Sequence, residues 1–239
     1  MLVHDGETRT PKADRNLALS LAAVAGALNT AGFYAAGLYA SNMTGNVSAI
    51  SDRIGTGDLA LAAQALLLVL LFVLGSASST LLIRRGRRRA RQGAYAYSVC
   101  TEPALLAVIG LVALPLQEPA RGQALVLGLS FALGLQNAAV TKISVARVRT
   151  THVTGMITDI GIELARWLDD GARDPGGLKP HDPQKLRLHL QTVGAFLVGG
   201  LVGVVAYRLI GVTLLFAAAA ILTWLAVPAI GAADSVRAE

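Results

Sequence analysis

The chain has 239 residues, of which 54% are hydrophobic and only 15% charged, with a mean hydropathy of +0.55. That balance excludes an ordinary water-soluble domain and points to a polytopic membrane protein. The formal charge of +6 does not imply a nucleic-acid partner, because the basic residues sit beside apolar runs, where they set orientation.

A bilayer core about 30 Å thick takes about 20 helical residues. Six runs approach that length, at 17–39, 59–83, 95–116, 124–140, 188–207 and 210–230. They lack the alternation of barrel strands, so helices that satisfy their own backbone hydrogen bonds are expected. Residues 1–16 carry Asp5, Glu7 and Asp14 and no apolar run, and are read as a cytoplasmic tail followed by a retained first helix.

The first run carries Asn29 and leads into Ser41-Asn42-Met43-Thr44-Gly45-Asn46. The fourth carries Asn137 and leads into Thr151-His152-Val153-Thr154-Gly155-Met156, and in the runs that follow Phe72, Gly75 and Arg84 recur with the same spacing as Phe196, Gly199 and Arg208. Two copies of one unit are therefore expected, residues 17–116 and 117–230, with the boundary at the turn marked by Pro115, Pro119 and Gly122. Three crossings per copy, an odd number, insert the second copy upside down. The predicted fold is all-α, with six transmembrane helices in a 3+3 inverted repeat.

Each Thr-Gly pair opens a short amphipathic stretch, with Val47, Ile50 and Ile54 in the first. In the second, Ile157, Ile160 and Leu164 share one side, and Asp159, Glu163 and Arg166 another. Both are too short or too polar to cross comfortably and read as broken or re-entrant helices, with Thr44 and Thr154 as the expected caps. If both crossed, the chain would have eight spans and an external N-terminus.

Arginines at 84, 85, 87, 88, 89 and 91, the group Lys142, Arg147 and Arg149, and the group Arg9, Lys12 and Arg15 fall on one side of a six-span layout. This predicts a multi-pass protein of the cytoplasmic membrane with both termini inside. Arg208 disagrees, but at a helix end it can snorkel. The Gly-, Pro- and charge-rich residues 169–185 are expected to form a cytoplasmic loop, and 231–239 a terminal tail.

Helix starts within a membrane present unpaired N–H groups and partial positive charge, a site for anions or carbonyl oxygens. Two such starts would suit the half-helices of a secondary transporter, with Gly45 and Gly155 allowing close approach. The candidate solute-binding residues are thus Asn29, Asn42, Thr44, Gly45, Asn46, Asn137, Thr151, His152, Thr154 and Gly155. The plainer roles are chain turning at the Thr-Gly pairs, helix bridging by the two asparagines and solvation of His152.

Glu102, within the third run and beside Pro103, is the strongest candidate for proton or cation coupling, since a membrane-embedded carboxylate must be protonated, paired or wetted. Its plainer alternative has the span beginning nearer Pro103, with Glu102 at the interface. Asp159 is a second coupling candidate if it lines a cavity, whereas an exposed Glu163–Arg166 pair is the ordinary alternative. The G-x-x-x-G of Gly199 and Gly203, and Gly75 with Ser79, predict close helix packing within the bundle or in a homodimer. Cys100, the single cysteine, reads as a packed side chain. The sequence shows no paired nucleophile and base, metal-ligand cluster or phosphate loop, so neither an enzyme nor a cofactor is expected.

The segments Gly32-Phe33, Ser41 to Asn46, Gly134-Leu135-Gln136-Asn137-Ala138 and Arg149 to Gly155 closely resemble the YoaK family of bacterial membrane proteins, over residues 17–230. The resemblance implies a six-helix inner-membrane protein regarded as a transporter candidate, without a settled substrate. With the inverted units, the paired helix starts and Glu102, the expected function is a small secondary transporter or channel for a polar or anionic solute; the alternatives are a non-transporting scaffold or regulatory subunit and, less favoured, a membrane enzyme acting on a lipid-linked substrate.

Overall fold

The computed structural model describes residues 11–88, 94–144, 150–169 and 181–235. Arg9, Arg89, Arg91, Arg147, Arg149, most of the 169–185 loop and the end of the C-terminal tail lie outside the described residues. The described chain forms eight α-helices: α1 Pro11–Ala36, α2 Met43–Gly55, α3 Leu59–Arg88, α4 Ala94–Ala113, α5 Ala120–Ile143, α6 Val153–Asp169, α7 Pro183–Ile210 and α8 Leu214–Ser235. Among the described residues there is no strand.

Four helical stretches are long and apolar enough to cross a membrane: Arg15–Ala36, Leu59–Gly86, Ala120–Ile143 and Pro183–Ala226. The last covers 44 residues, too long for one crossing at about 1.5 Å per residue. It is broken where the Gly211–Thr213 3-10 turn separates α7 from α8, with Gly211 at φ +56°. The outer faces are apolar: Leu70, Leu74, Leu197 and Leu201 are exposed, while Asn29, Glu102 and Gln136 are buried. Leucine outside and carboxamide inside is the polarity of a helical membrane protein, whose solvent is hydrocarbon.

Local chemistry explains the helix ends. After α1 the chain turns at Gly37, whose φ of +71° is left-handed, and its N–H donates to the Phe33 carbonyl at 2.7 Å. At the start of α2 the cap is Asn42, whose Oδ1 accepts from the Gly45 N–H at 3.1 Å. Thr44 and Thr154, expected as caps, instead lie inside the first turns of α2 and α6. Asp182 caps α7 by accepting from the Gln184 and Lys185 N–H groups, and Pro183 follows it. Residues 183–185, expected in a loop, thereby become the first turn of a helix.

Two helix pairs dominate the packing, α1 with α7 and α3 with α5. In the first, a Cβ on Gly26 would collide with the Phe196 carbonyl, one on Gly199 with the Ala23 carbonyl and one on Gly203 with the Ala27 carbonyl. In the second, a Cβ on Gly75 would collide with the Phe131 carbonyl and one on Gly134 with the Phe72 carbonyl. One sequence offset carries Gly26 to Gly134 and Ala23 to Phe131, and another carries Phe72 and Gly75 to Phe196 and Gly199. Hydroxyls then bridge the touching backbones: Thr30 donates to the Gly200 carbonyl at 2.9 Å, Ser76 to Gly134 at 3.0 Å and Ser130 to Leu68 at 2.8 Å. Close packing and such hydrogen bonds must hold a bundle together where lipid weakens any hydrophobic preference for protein over solvent. The Gly199–Gly203 face is occupied by α1 and the Gly75 face by α5, both within the chain.

Candidate functional site

A chain of buried polar side chains joins α4, α5 and the segment ahead of α6. Glu102 lies in α4, whose helix begins at Ala94 and whose apolar part runs over Thr101–Ala113, and its side chain is within the protein at 1% exposure. Gln136 on α5 donates from Nε2 to the Glu102 carboxylate at 3.1 Å. The Thr150 hydroxyl lies 3.3 Å from Gln136 Oε1 and 3.4 Å from Asn137 Oδ1, so its single proton is shared between neighbouring carboxamides. Asn137 returns its amide to the Leu133 carbonyl at 2.8 Å. Glu102 makes no ion pair with a described residue, which leaves it the ionisable end of an otherwise neutral chain.

The region around Asn29 closes on itself. Asn29 Oδ1 accepts from both the backbone N–H and the hydroxyl of Ser41, each at 2.9 Å. Asn46 donates to the Tyr39 carbonyl at 3.4 Å, and Tyr39 stacks on Phe33 with ring centroids 4.3 Å apart. Gly45 is approached by its own cap, since a Cβ there would meet the Asn42 side chain, whereas Gly155 faces open space.

Thr44, Asn42, His152, Thr154 and Gly155 are exposed and Thr151 is half-buried. α2 packs on α3 and α6 on α7, so the two Thr-Gly starts are carried by different helix pairs. Asn137 is thus joined to Glu102, Asn29 belongs to a separate cluster, and the Thr-Gly residues line neither one.

Asp159 belongs to a third group, which fastens α6 to α7. Lys185 Nζ lies 3.3 Å from Asp159 and 3.9 Å from Glu163, and His189 Nδ1 is 3.8 Å from Asp159. Glu163 accepts from Arg166 at 2.7 Å and from the Asp182 N–H at 2.9 Å, with His181 Nδ1 at 3.5 Å. The expected Glu163–Arg166 pair forms, but its carboxylate is covered by these neighbours instead of exposed. The Asp182 N–H, above all, holds the Glu163 carboxyl below its ordinary value, against the opposing effect of desolvation and with help from Arg166 and Lys185. Among the described residues no group of three or more histidine, cysteine or acidic side chains is placed to hold a metal ion.

A family model described as "Protein of unknown function (DUF1275)" matches residues 17–228. The chain belongs to the DUF1275 family. No curated protein and no solved structure matches it. The resemblance to YoaK-type sequences is consistent with that membership, and the match covers both buried clusters of this DUF1275 chain.

Gln136, Thr150 and Ser41 complete those clusters and were not singled out as site residues by sequence reasoning. A usable signal existed for Gln136. It stands beside Asn137 on the buried side of α5, and a carboxamide there needs a partner inside the bundle. Thr150 and Ser41 offered no such contrast, because hydroxyl residues are ordinary in connections.

Proposed function

We propose that this DUF1275 protein is a small secondary transporter or channel of the bacterial inner membrane for a small polar or anionic solute. Glu102 would exchange a proton or cation during the cycle. The reading rests on the Glu102–Gln136–Thr150–Asn137 chain, an ionisable group held in the bundle interior by neutral partners that can exchange hydrogen bonds with a solute. The proposed frame is a YoaK-like 3+3 inverted repeat with six crossings and both termini cytoplasmic. The use of corresponding glycines at the α1–α7 and α3–α5 crossings supports it. In such a frame the two pairs can shift against each other around a central site.

Proteoliposome flux driven by a pH gradient tests the proposal across a panel of small anions and polar metabolites. The expected result is flux for at least one solute, with its pH dependence abolished by Glu102→Gln while the protein still inserts and folds. Unchanged pH dependence in that variant removes Glu102 from the mechanism. A reporter fused at Glu239 should signal from the cytoplasm, and an external signal defeats the six-span frame.

One observation favours a second reading. Glu102, Gln136, Asn137 and Thr150 are all enclosed, as expected of groups that specify helix packing in a non-transporting scaffold or regulatory subunit. A stable complex with another membrane protein, with neither flux nor turnover, supports that reading. Turnover of a lipid-linked substrate without flux supports a membrane enzyme instead.

A further inference from the structure

One face of α3 is apolar for most of its length and then abruptly basic. Leu66, Leu67, Leu70, Val73, Leu74 and Leu81 are exposed at helical spacing, while Leu68, Gly75, Ser79 and Ile83 are buried on the other side. Three and four residues beyond Leu81 the same exposed stripe continues as Arg84 and Arg85, and then Arg88. From Leu59 to Leu81 the helix rises roughly 33 Å at 1.5 Å per residue, close to the thickness of a hydrocarbon core. The three guanidinium groups therefore leave the helix at headgroup level, on the side that meets lipid. Among the described residues none of the three forms an ion pair with a carboxylate.

We propose that Arg84, Arg85 and Arg88 form a binding surface for the headgroups of anionic phospholipids. The planar guanidinium fork matches phosphate oxygens, and the adjoining leucines offer acyl chains a continuous apolar track. That continuity selects a membrane lipid over a nucleic acid or an acidic protein, for which a hydrocarbon-facing stripe has no use. The inference is independent of whether the protein moves a solute.

The test is thermal unfolding of the purified full-length protein in neutral detergent, titrated with phosphatidylglycerol or phosphatidylcholine. Phosphatidylglycerol should stabilise at about tenfold lower concentration than phosphatidylcholine. That advantage should vanish in the R84Q/R85Q/R88Q variant. Equal stabilisation by both lipids overturns the proposal, as does an undiminished preference in the triple variant. Stabilisation by inorganic phosphate matching that of phosphatidylglycerol also overturns it, by showing a free-anion site, and tighter binding of a poly-glutamate peptide would do the same.

If the glutamine variant fails to fold, R84K/R85K/R88K and a salt titration of the unaltered protein decide. A preference weakened but kept by the lysine variant, and lost towards about 0.5 M salt in the unaltered protein, supports the surface, and one indifferent to salt overturns it.

Discussion

Asn29 and Asn137 occupy equivalent places in α1 and α5, and each receives a hydroxyl from the segment that leads into a short helix. One residue earlier the two regions part company. Leu28 in α1 is sealed in the apolar core, whereas its counterpart in α5, Gln136, reaches across to Glu102. The short helices diverge in the same way: α2 is joined to α3 through a tight turn at Gly57, and α6 is clamped to α7 by charged side chains. Both regions thus share one way of folding, while the ionisable chemistry gathers around Asn137, with Glu102 supplied by α4. Packing positions and chemical positions in this chain are separable, and substitutions can address them independently.

The largest effect is expected at the shared crossings. Gly26→Val and Gly134→Val each drive a side chain into a backbone carbonyl that cannot rotate away, and each should cost about 1–3 kcal/mol or more. Matched losses of melting temperature in detergent are the expected reading. A large loss at one crossing and none at the other would show that the crossings are not equivalent.

Next comes the pair that distinguishes the regions. Gln136→Leu, which makes α5 resemble α1, strips Glu102 of its amide donor and should cost about 1–3 kcal/mol. Leu28→Gln should cost a similar amount by burying an unpaired carboxamide. Adding Glu102→Val to Gln136→Leu should recover much of the stability, because an apolar pair of suitable shape carries no unmet polar demand. A strictly additive double variant would show that Gln136 and Glu102 do not act as a pair.

Much of the architecture was legible in the sequence because hydrocarbon imposes simple demands. Runs of about 20 apolar residues located the long helices to within about six residues at each end, and the small-residue pairs at Gly75 and at Gly199 with Gly203 marked close packing at both crossings. Cap identity was less legible, since Asn42 and Thr44 are both good caps and only the path of the chain after Gly37 decides between them. The inward side of α6 was also hidden. Its periodicity separates Ile157 and Leu164 from Asp159 and Glu163, but which face packs inward depends on the solvent outside. Here the apolar face, extended by Trp167 and Leu168, is exposed and the Glu163 carboxylate is covered. Of the candidate site, Glu102 was legible as a costly charge, whereas its partners depended on the rotation of α5.

A smaller difference should separate the two asparagines. Asn29→Ala orphans two donors on Ser41 that are each held at 2.9 Å, whereas Asn137→Ala leaves Thr150 with the Gln136 oxygen as an alternative acceptor. The Asn29 variant should therefore be the less stable by about 1 kcal/mol, measured by thermal unfolding. Equal losses would imply that the Thr150 hydroxyl depends on Asn137 alone.

The final contrast is between the attachments of α2 and α6, and pH should expose it. The folded Glu163 carboxyl titrates below its ordinary value of 4.5, chiefly because its ionised form accepts the Asp182 N–H. A group depressed in this way stabilises the folded state fully above the ordinary carboxylate range, and the contribution disappears as pH falls through the lowered value. Acidification from pH 7 should accordingly loosen α6 from α7 while the Gly57 turn continues to hold α2 on α3. Hydrogen exchange followed by peptide mass analysis should show protection falling in residues 153–169 below about pH 4.5 and changing little in 43–55. Glu163→Gln should flatten the response of α6, because the amide no longer titrates. If α2 and α6 lost protection together, or α6 still responded fully in that variant, the clamp would not be what distinguishes the two short helices.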